Sequence, residues 1–396
     1  MTFTTSARSA PLAVLLWAAL CAAAAQAEIR IAHVYGKTGP LEAYAAQSHT
    51  GLMMGLEYAT GGTMTVNGET LVVIEKDTQL DPARGRALLE EAYGDDGAAL
   101  AVGPVSSGVA LAMLPVAEEY ERLLIVEPAV ADSITGTNWN RYVFRTGRNS
   151  SQDAIANAVA LGAPGVKIAT LAQDYAFGRD GVAAFREALV GTGAELVHEE
   201  YVPSDTTDFT AAAERIFTTM KDMEGDKKLF LIWAGAGNPM SKINAMEPDR
   251  FGVEIATGGN ILAALAAYKE LPGMEGATYY YHDIPDNPVN DWLVAEHQAR
   301  FGTPPDFFTA GGMAAGIAVV EALRKAGSTD TEALIAAMEG MEWQTPKGTM
   351  RFRPEDHQAL QSMYHFRIRV DPAVDWAIPE LVRELGIDDL PIPLRN

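Results

Sequence analysis

The chain has 396 residues, 48% of them apolar and 21% charged, a balance that belongs to a soluble globular protein of two or three domains. Acidic residues outnumber basic ones by 52 to 30, for a formal net charge of −22. Such a field repels nucleic acid and anionic membrane surfaces, while leaving room for one locally positive pocket that takes a small anion.

In chain order the first feature is an apolar leader. Arg8 is the only charged residue before Glu28, an apolar run extends from Leu12 to Ala25, and Ala25-Gln26-Ala27 has the small-x-small form of a cleavage site. The stretch is too short to span a bilayer and reads as a secretory signal peptide over residues 1–27, cleaved after Ala27. The alternative, a lipid anchor on Cys21, needs a small residue just before the cysteine, where Leu20 stands. Cleavage removes the only cysteine, so the exported chain has no disulfide, no thiolate metal site and no cysteine nucleophile. No later apolar stretch reads as spanning length, which predicts an exported protein without direct membrane insertion.

From Glu28 onward, strand-like and helix-like segments alternate. Glu28–Val34, Leu71–Ile74, Ala98–Val102 and Leu123–Val126 read as short buried strands. A helix lies between the second and third: Asp81 caps it, Pro82 suits its first position, and Ala87, Leu88, Leu89 and Ala92 form its apolar face. The alternation resumes with strands at Val166–Leu171, Leu196–Tyr201, Leu229–Trp233 and Val253–Thr257, and helices at Val182–Leu189, Phe209–Met220 and Ile261–Leu271. Two such runs predict two α/β lobes, each with a parallel sheet covered on both faces, and a first joint in the polar stretch Arg145–Ser151. Toward the end come a strand at Thr278–Tyr281, a turn cluster at Asp283–Pro288, helices near Asp291–Arg300 and Ala310–Lys325, and an alternating strand at Met363–Val370.

Patterns that carry catalysis do not appear. None of the seven histidines pairs with another at i,i+4 and no HExxH occurs, so nothing supports a helical zinc site. Gly103–Gly108 lacks the spacing of a nucleophile elbow, and Gly235-Ala236-Gly237-Asn238-Pro239-Met240 lacks the third glycine of a dinucleotide loop. The chain is expected to be no enzyme and to hold no cofactor or metal. In an open parallel sheet, ligands gather beyond the carboxyl ends of the strands. Three loops there are rich in small residues: Gly39-Pro40 leading to Tyr44, Gly103–Gly108, and Pro128-Ala129-Val130-Ala131. In the second, backbone N–H groups with Ser106 and Ser107 form an anion cradle at a helix start, or Ser107 serves only as that helix's cap.

Taken with the leader, these loops resemble the leucine/isoleucine/valine-binding protein family, the type I periplasmic solute receptors of ATP-driven importers. The resemblance covers essentially the whole exported chain. It is carried by Ile31–Val34 with Gly39-Pro40 and Tyr44, by Lys76-Asp77 with Asp81-Pro82, and by Gly103–Gly108. Glu127-Pro128-Ala129, Phe144-Arg145-Thr146 and Asp174–Gly178 follow in the family's order. It implies an α/β fold of two Rossmann-like lobes joined by three hinge crossings, with the solute in the cleft and the lobes closing on it. Lobe one would be residues 28–145 plus 279–348, and lobe two 146–278 plus 349–396.

The resemblance also implies site residues. Ser107, Ala129 and Ala131 match positions that hold a ligand carboxylate, Tyr44 an aromatic flanking the ligand, and Phe177 a cleft tyrosine; for both aromatics, core packing is the plain alternative. Ser106, Trp233 and Asn260 complete the expected set. The family's acid for a ligand ammonium should lie near Thr257-Gly258-Gly259-Asn260, where none stands; another acid, such as Glu42 or Asp208, would have to reach in instead. A buried ammonium without an acceptor is costly. The expected ligand is therefore a carboxylate or neutral molecule without an α-amino group, and the alternative is a branched-chain or other amino acid. The implied protein is a periplasmic monomer that delivers its ligand to an inner-membrane ABC permease; an exported enzyme or a sensory partner on the same frame are the competing readings.

Overall fold

The computed structural model of the chain describes residues 1–2 and 27–396, so most of the expected signal peptide lies outside the described residues. The first run of elements is β1 (Glu28–Tyr35), α1 (Glu42–Ala59), β2 (Thr65–Val66), β3 (Glu69–Asp77), α2 (Pro82–Gly94), β4 (Leu100–Val102), α3 (Ser107–Glu119), β5 (Leu123–Val126) and β6 (Val143–Arg145). Its strands form one sheet in the order β2-β3-β1-β4-β5-β6, parallel apart from the β2–β3 hairpin. Every residue of β4 and β5 is buried, as strands covered by helices on both faces require. The Asp81 carboxylate accepts from the Arg84 N–H at 2.8 Å, the cap its position predicts.

The second run is α4 (Ser150–Leu161), β7 (Lys167–Gln173), α5 (Ala176–Ala188), β8 (Glu195–Val202), α6 (Thr210–Met220), β9 (Lys227–Ile232), α7 (Met240–Asn244), β10 (Val253–Thr257) and α8 (Leu262–Tyr268). Its sheet, β10-β9-β7-β8, is parallel throughout. The remaining elements are β11 (Glu275–Thr278), α9 (Pro288–Phe301), α10 (Phe307–Ala326), α11 (Thr331–Met338), β12 (Glu342–Thr345), β13 (Gly348–Phe352), β14 (Ala359–Leu360), β15 (Met363–Arg369) and β16 (Ile378–Leu385). β11, β15 and β16 form an antiparallel sheet on the second lobe, where Phe366 and Ile368 share a core with Leu229 and Leu231. The strand expected at Thr278–Tyr281 ends at Thr278. Beyond it Tyr279 and Tyr280 are drawn into the first lobe's core, while Tyr281 stays with the second.

The chain thus passes between lobes after β6, after β11 and after β14. The crossing after β14 differs from the boundary read at Gly348. β13 pairs with β12 and β14 with β13 (Arg351 opposite Leu360, Phe352 opposite Ala359), and their side chains join the core that holds Ile29 and Phe144. Residues 349–360 therefore belong to the first lobe. After β16 the chain passes back once more, and Leu390 and Ile392 return to the same core.

A close helix pair anchors that lobe. Gly51 and Gly55 on α1 face Gly312 and Gly316 on α10, and a Cβ at Gly51 would stand 2.0 Å from the Thr309 carbonyl oxygen. The expectation that no later stretch reaches spanning length meets one exception among the described residues: α10 is long and apolar enough, but 89% of its most apolar 18-residue stretch is buried inside the protein as a core helix.

Beside the β1–β3 pair, three near-parallel rings cluster: Tyr35 lies 4.1 Å from His33 and 5.2 Å from His49, centroid to centroid, and the two histidines meet edge to edge with their Nδ1 atoms 2.9 Å apart. His33 is fully buried, and burial, then the His49 charge, lower its pKa to about 3; burial lowers His49 as well. The unfolded chain protonates these rings near 6.5. Because the folded values are depressed, their contribution to stability is complete above 6.5 and is lost as pH falls toward 3. Urea unfolding between pH 7 and 4.5 should show stability dropping by up to about 1.4 kcal/mol per pH unit for His33. His33→Phe should flatten that slope; an equal slope in the variant would remove His33 as its source.

Candidate functional site

Loops at the carboxyl ends of both sheets meet across the interlobe cleft. Leu41 and Tyr44 after β1, Ser107 after β4 and Val130 after β5 face Phe177, Trp233 and Asn260 of the second lobe across a cavity of about 60 Å³. A further chamber of about 80 Å³ continues into the second lobe past Arg148, Phe177, Trp233 and Phe307, which line both. The lobes are joined at the mouth: the Tyr44 hydroxyl donates to Asn260 Oδ1 at 2.8 Å and accepts from the Gly235 N–H at 2.9 Å. Ser133 of the first lobe donates to Asp180 on α5 through both N–H and hydroxyl, at 2.9 and 2.7 Å. Tyr44 also lines an outer groove of about 590 Å³ that spans both lobes, so its ring separates groove from cavity.

Arg148 sits where the first crossing enters α4, and its side chain is only 11% exposed. Its Nε donates to Asp153 Oδ1 at 2.9 Å, and the guanidinium lies over the rings of Tyr279 (4.7 Å), Phe307 (5.1 Å) and Phe308 (6.0 Å). Among the described residues no hydrogen bond engages its two terminal nitrogens. A dry guanidinium with a spare planar fork on a cavity wall is chemistry matched to a carboxylate. Burial pushes the Asp153 carboxyl up while Arg148 pulls it down, and Asp153 Oδ2 accepts no hydrogen bond among the described residues.

Of the residues picked from sequence, Tyr44, Ser107, Phe177, Trp233 and Asn260 line this space. Ser107 is the first helical residue of α3, and its Oγ accepts from the Ala131 N–H at 3.2 Å, so it ties the loops after β4 and β5 together instead of capping. Ser106 holds the N-cap position without a side-chain cap bond. Ser106, Ala129 and Ala131 lie behind the wall: the Ala129 N–H donates to the Pro104 carbonyl, and the Ala131 N–H is spent on Ser107. Glu42 faces the outer groove, and Asp208 is bound to the Thr210 N–H at the start of α6. Sequence reasoning missed Arg148, Asp153, Tyr175, Phe307 and Phe308. The one available signal was a cation inside the polar joint Arg145–Ser151, two residues past the Phe144-Arg145-Thr146 motif.

Residues 28–372 match a family model described as periplasmic binding protein. The chain belongs to the periplasmic binding protein family. Among its relatives is the Leu/Ile/Val-binding protein homolog 6 of Brucella melitensis, 27% identical over 76% of this chain and 77% of the relative. The fold of this periplasmic binding protein matches the crystal structure of an ABC-type branched-chain amino acid transporter from Rhodopseudomonas palustris CGA009: 68% identity, TM-score 0.83, 93% of this chain and 99% of that one. It also matches the solute-binding protein of an ABC transporter from R. palustris BisB5 in complex with 3,4-dihydroxybenzoic acid, at 27% identity and TM-score 0.79, over 92% of this chain and 99% of that one. The resemblance to Leu/Ile/Val-binding proteins drawn from the motifs therefore holds, as does the two-lobe α/β fold. The family consists of the periplasmic solute-binding proteins of ABC importers.

Proposed function

We propose that this binding protein captures an organic carboxylate lacking an α-ammonium group. The observation that carries the reading is Arg148, which lines a cavity walled by the rings of Tyr44, Phe177, Trp233 and Phe307 and whose terminal nitrogens make no hydrogen bond among the described residues. The ligand carboxylate takes the guanidinium fork and the Ser107 hydroxyl proton, and its apolar body lies against the rings. Asp153 does not serve as an ammonium acceptor, because its charge is already neutralised by Arg148 at 2.9 Å. Binding closes the lobes and is reversible, so the protein is a carrier and not an enzyme. Released from its signal peptide after Ala27, it works as a monomer and hands its ligand to an inner-membrane permease.

A second reading, an amino-acid receptor, is favoured by the free Oδ2 of Asp153, which would take an ammonium beside a carboxylate on Arg148. A thermal-shift screen separates the two. Benzoate, 3,4-dihydroxybenzoate and aliphatic acids should raise the melting temperature, since a ligand at a hundred times its Kd adds about 2.7 kcal/mol. If leucine or valine stabilises the protein and the acids do not, the carboxylate reading fails.

The latch at the mouth gives a kinetic prediction. Tyr44→Phe removes two hydrogen bonds between lobes, each worth about 0.5–1.5 kcal/mol. Ligand release, followed by stopped-flow displacement, should quicken by about tenfold. An unchanged release rate would mean the Tyr44 hydroxyl does not hold the closed state.

A further inference from the structure

The chamber beyond Arg148 is not needed to hold a carboxylate, yet it is larger than the cavity between the lobes, at about 80 Å³ against about 60 Å³. Apart from Arg148 and Phe307, it is built inside the second lobe, between α4, α5 and the ends of β9 and β10. Small residues keep it open: Ala154 on α4, Gly181 on α5, Gly258 and Gly259 after β10, and Ala277 on β11. Three of its polar side chains are engaged by the protein itself. The Thr257 hydroxyl donates to the Leu231 carbonyl at 3.2 Å, and Ser150 Oγ donates to the Val130 carbonyl at 3.0 Å. Asn157 donates to the Asp153 carbonyl at 2.8 Å and accepts from the Ala277 N–H at 2.9 Å. The side chains of Phe177, Phe230 and Ile232 line the space, with Arg148, Asp153 and Asn260 at its polar end. The volume is several times the roughly 10–15 Å³ that one water needs.

Resting on the carboxylate reading of Arg148, we infer that this inner chamber seats an apolar arm of the ligand, so that the ligand class is acids whose apolar part reaches beyond a single ring, such as arylalkanoates. With the carboxylate held at the neck by Arg148, the arm passes Phe177 and Trp233 into the second lobe. The chamber then sets chain-length specificity, and Ala154 and Gly181 are its specificity-determining positions.

Calorimetric titration with benzoate, phenylacetate, 3-phenylpropanoate and 4-phenylbutanoate tests this. In the wild type, affinity should rise by about fourfold for each added methylene. Ala154→Leu fills the chamber and should cost the longest acid at least about tenfold while leaving benzoate within about twofold. Gly181→Ala gives a gentler version, because its new methyl meets only the Ile232 side chain, at 3.1 Å; it should reduce the same gain. A flat series in which benzoate binds as well as the longest acid would overturn the chamber's role and leave the carboxylate reading standing. Failure of all four acids to bind, with leucine binding, would overturn both.

Discussion

Arg148→Met should bind the carboxylate ligand about 30-fold or more weakly than the wild type. Truncating one side of a buried, hydrogen-bonded charge pair costs about 2–5 kcal/mol, and 1.4 kcal/mol is a factor of ten. The single variant also strands the Asp153 carboxylate, which now has its partner at 2.9 Å, so part of its loss would come from destabilisation. The double variant Arg148→Met/Asp153→Asn removes both charges and should recover stability without recovering affinity. Arg148→Lys keeps a cation but loses the planar fork and should fall between. A double variant that melts normally and binds acids like the wild type would remove Arg148 from the site.

Gly312→Ala should destabilise the protein by about 2–3 kcal/mol, although helix propensity alone favours alanine over glycine by about 1 kcal/mol. The two effects have opposite signs, and geometry decides between them. A Cβ on Gly312 would stand 2.1 Å from the Ser48 carbonyl oxygen, a backbone atom that moves only if α1 moves. On the opposing helix Gly51 has the same problem against Thr309. Urea unfolding should show a lower midpoint with an unchanged slope. An unchanged or higher midpoint would mean that the helices part easily.

Parts of this structure are legible in the residues because local rules decide them. Leu123–Val126 and Val253–Thr257 are apolar runs bounded by turn residues, and they are strands with those limits. Asp81 before Pro82 caps α2 because a carboxylate and a ring with fixed φ both suit a helix start. By contrast, α1 shows no clear apolar stripe, since the face it buries carries Ser48, Gly51 and Gly55. Its partner is a glycine face more than two hundred residues away, which no local window contains. β16 was invisible for a related reason: it is an edge strand whose middle residues are exposed, so alternation gives no signal. At the site, the loops were found because small residues after strands announce themselves. Arg148 was not, because its meaning comes from Tyr279, Phe307 and Phe308, which the second crossing and α10 bring to it.

The pairing of α1 with α10 also fixes an order of events during synthesis. Residues 42–59 emerge early, but the glycine face they must meet is made only when residues 307–326 leave the ribosome. Until then α1 has no backbone to pack against and the first lobe cannot close its core, whereas α4 to α8 of the second lobe are contiguous and can assemble first. High contact order of this kind slows folding. The amino-terminal helix therefore cannot complete its packing until more than two hundred further residues have been made.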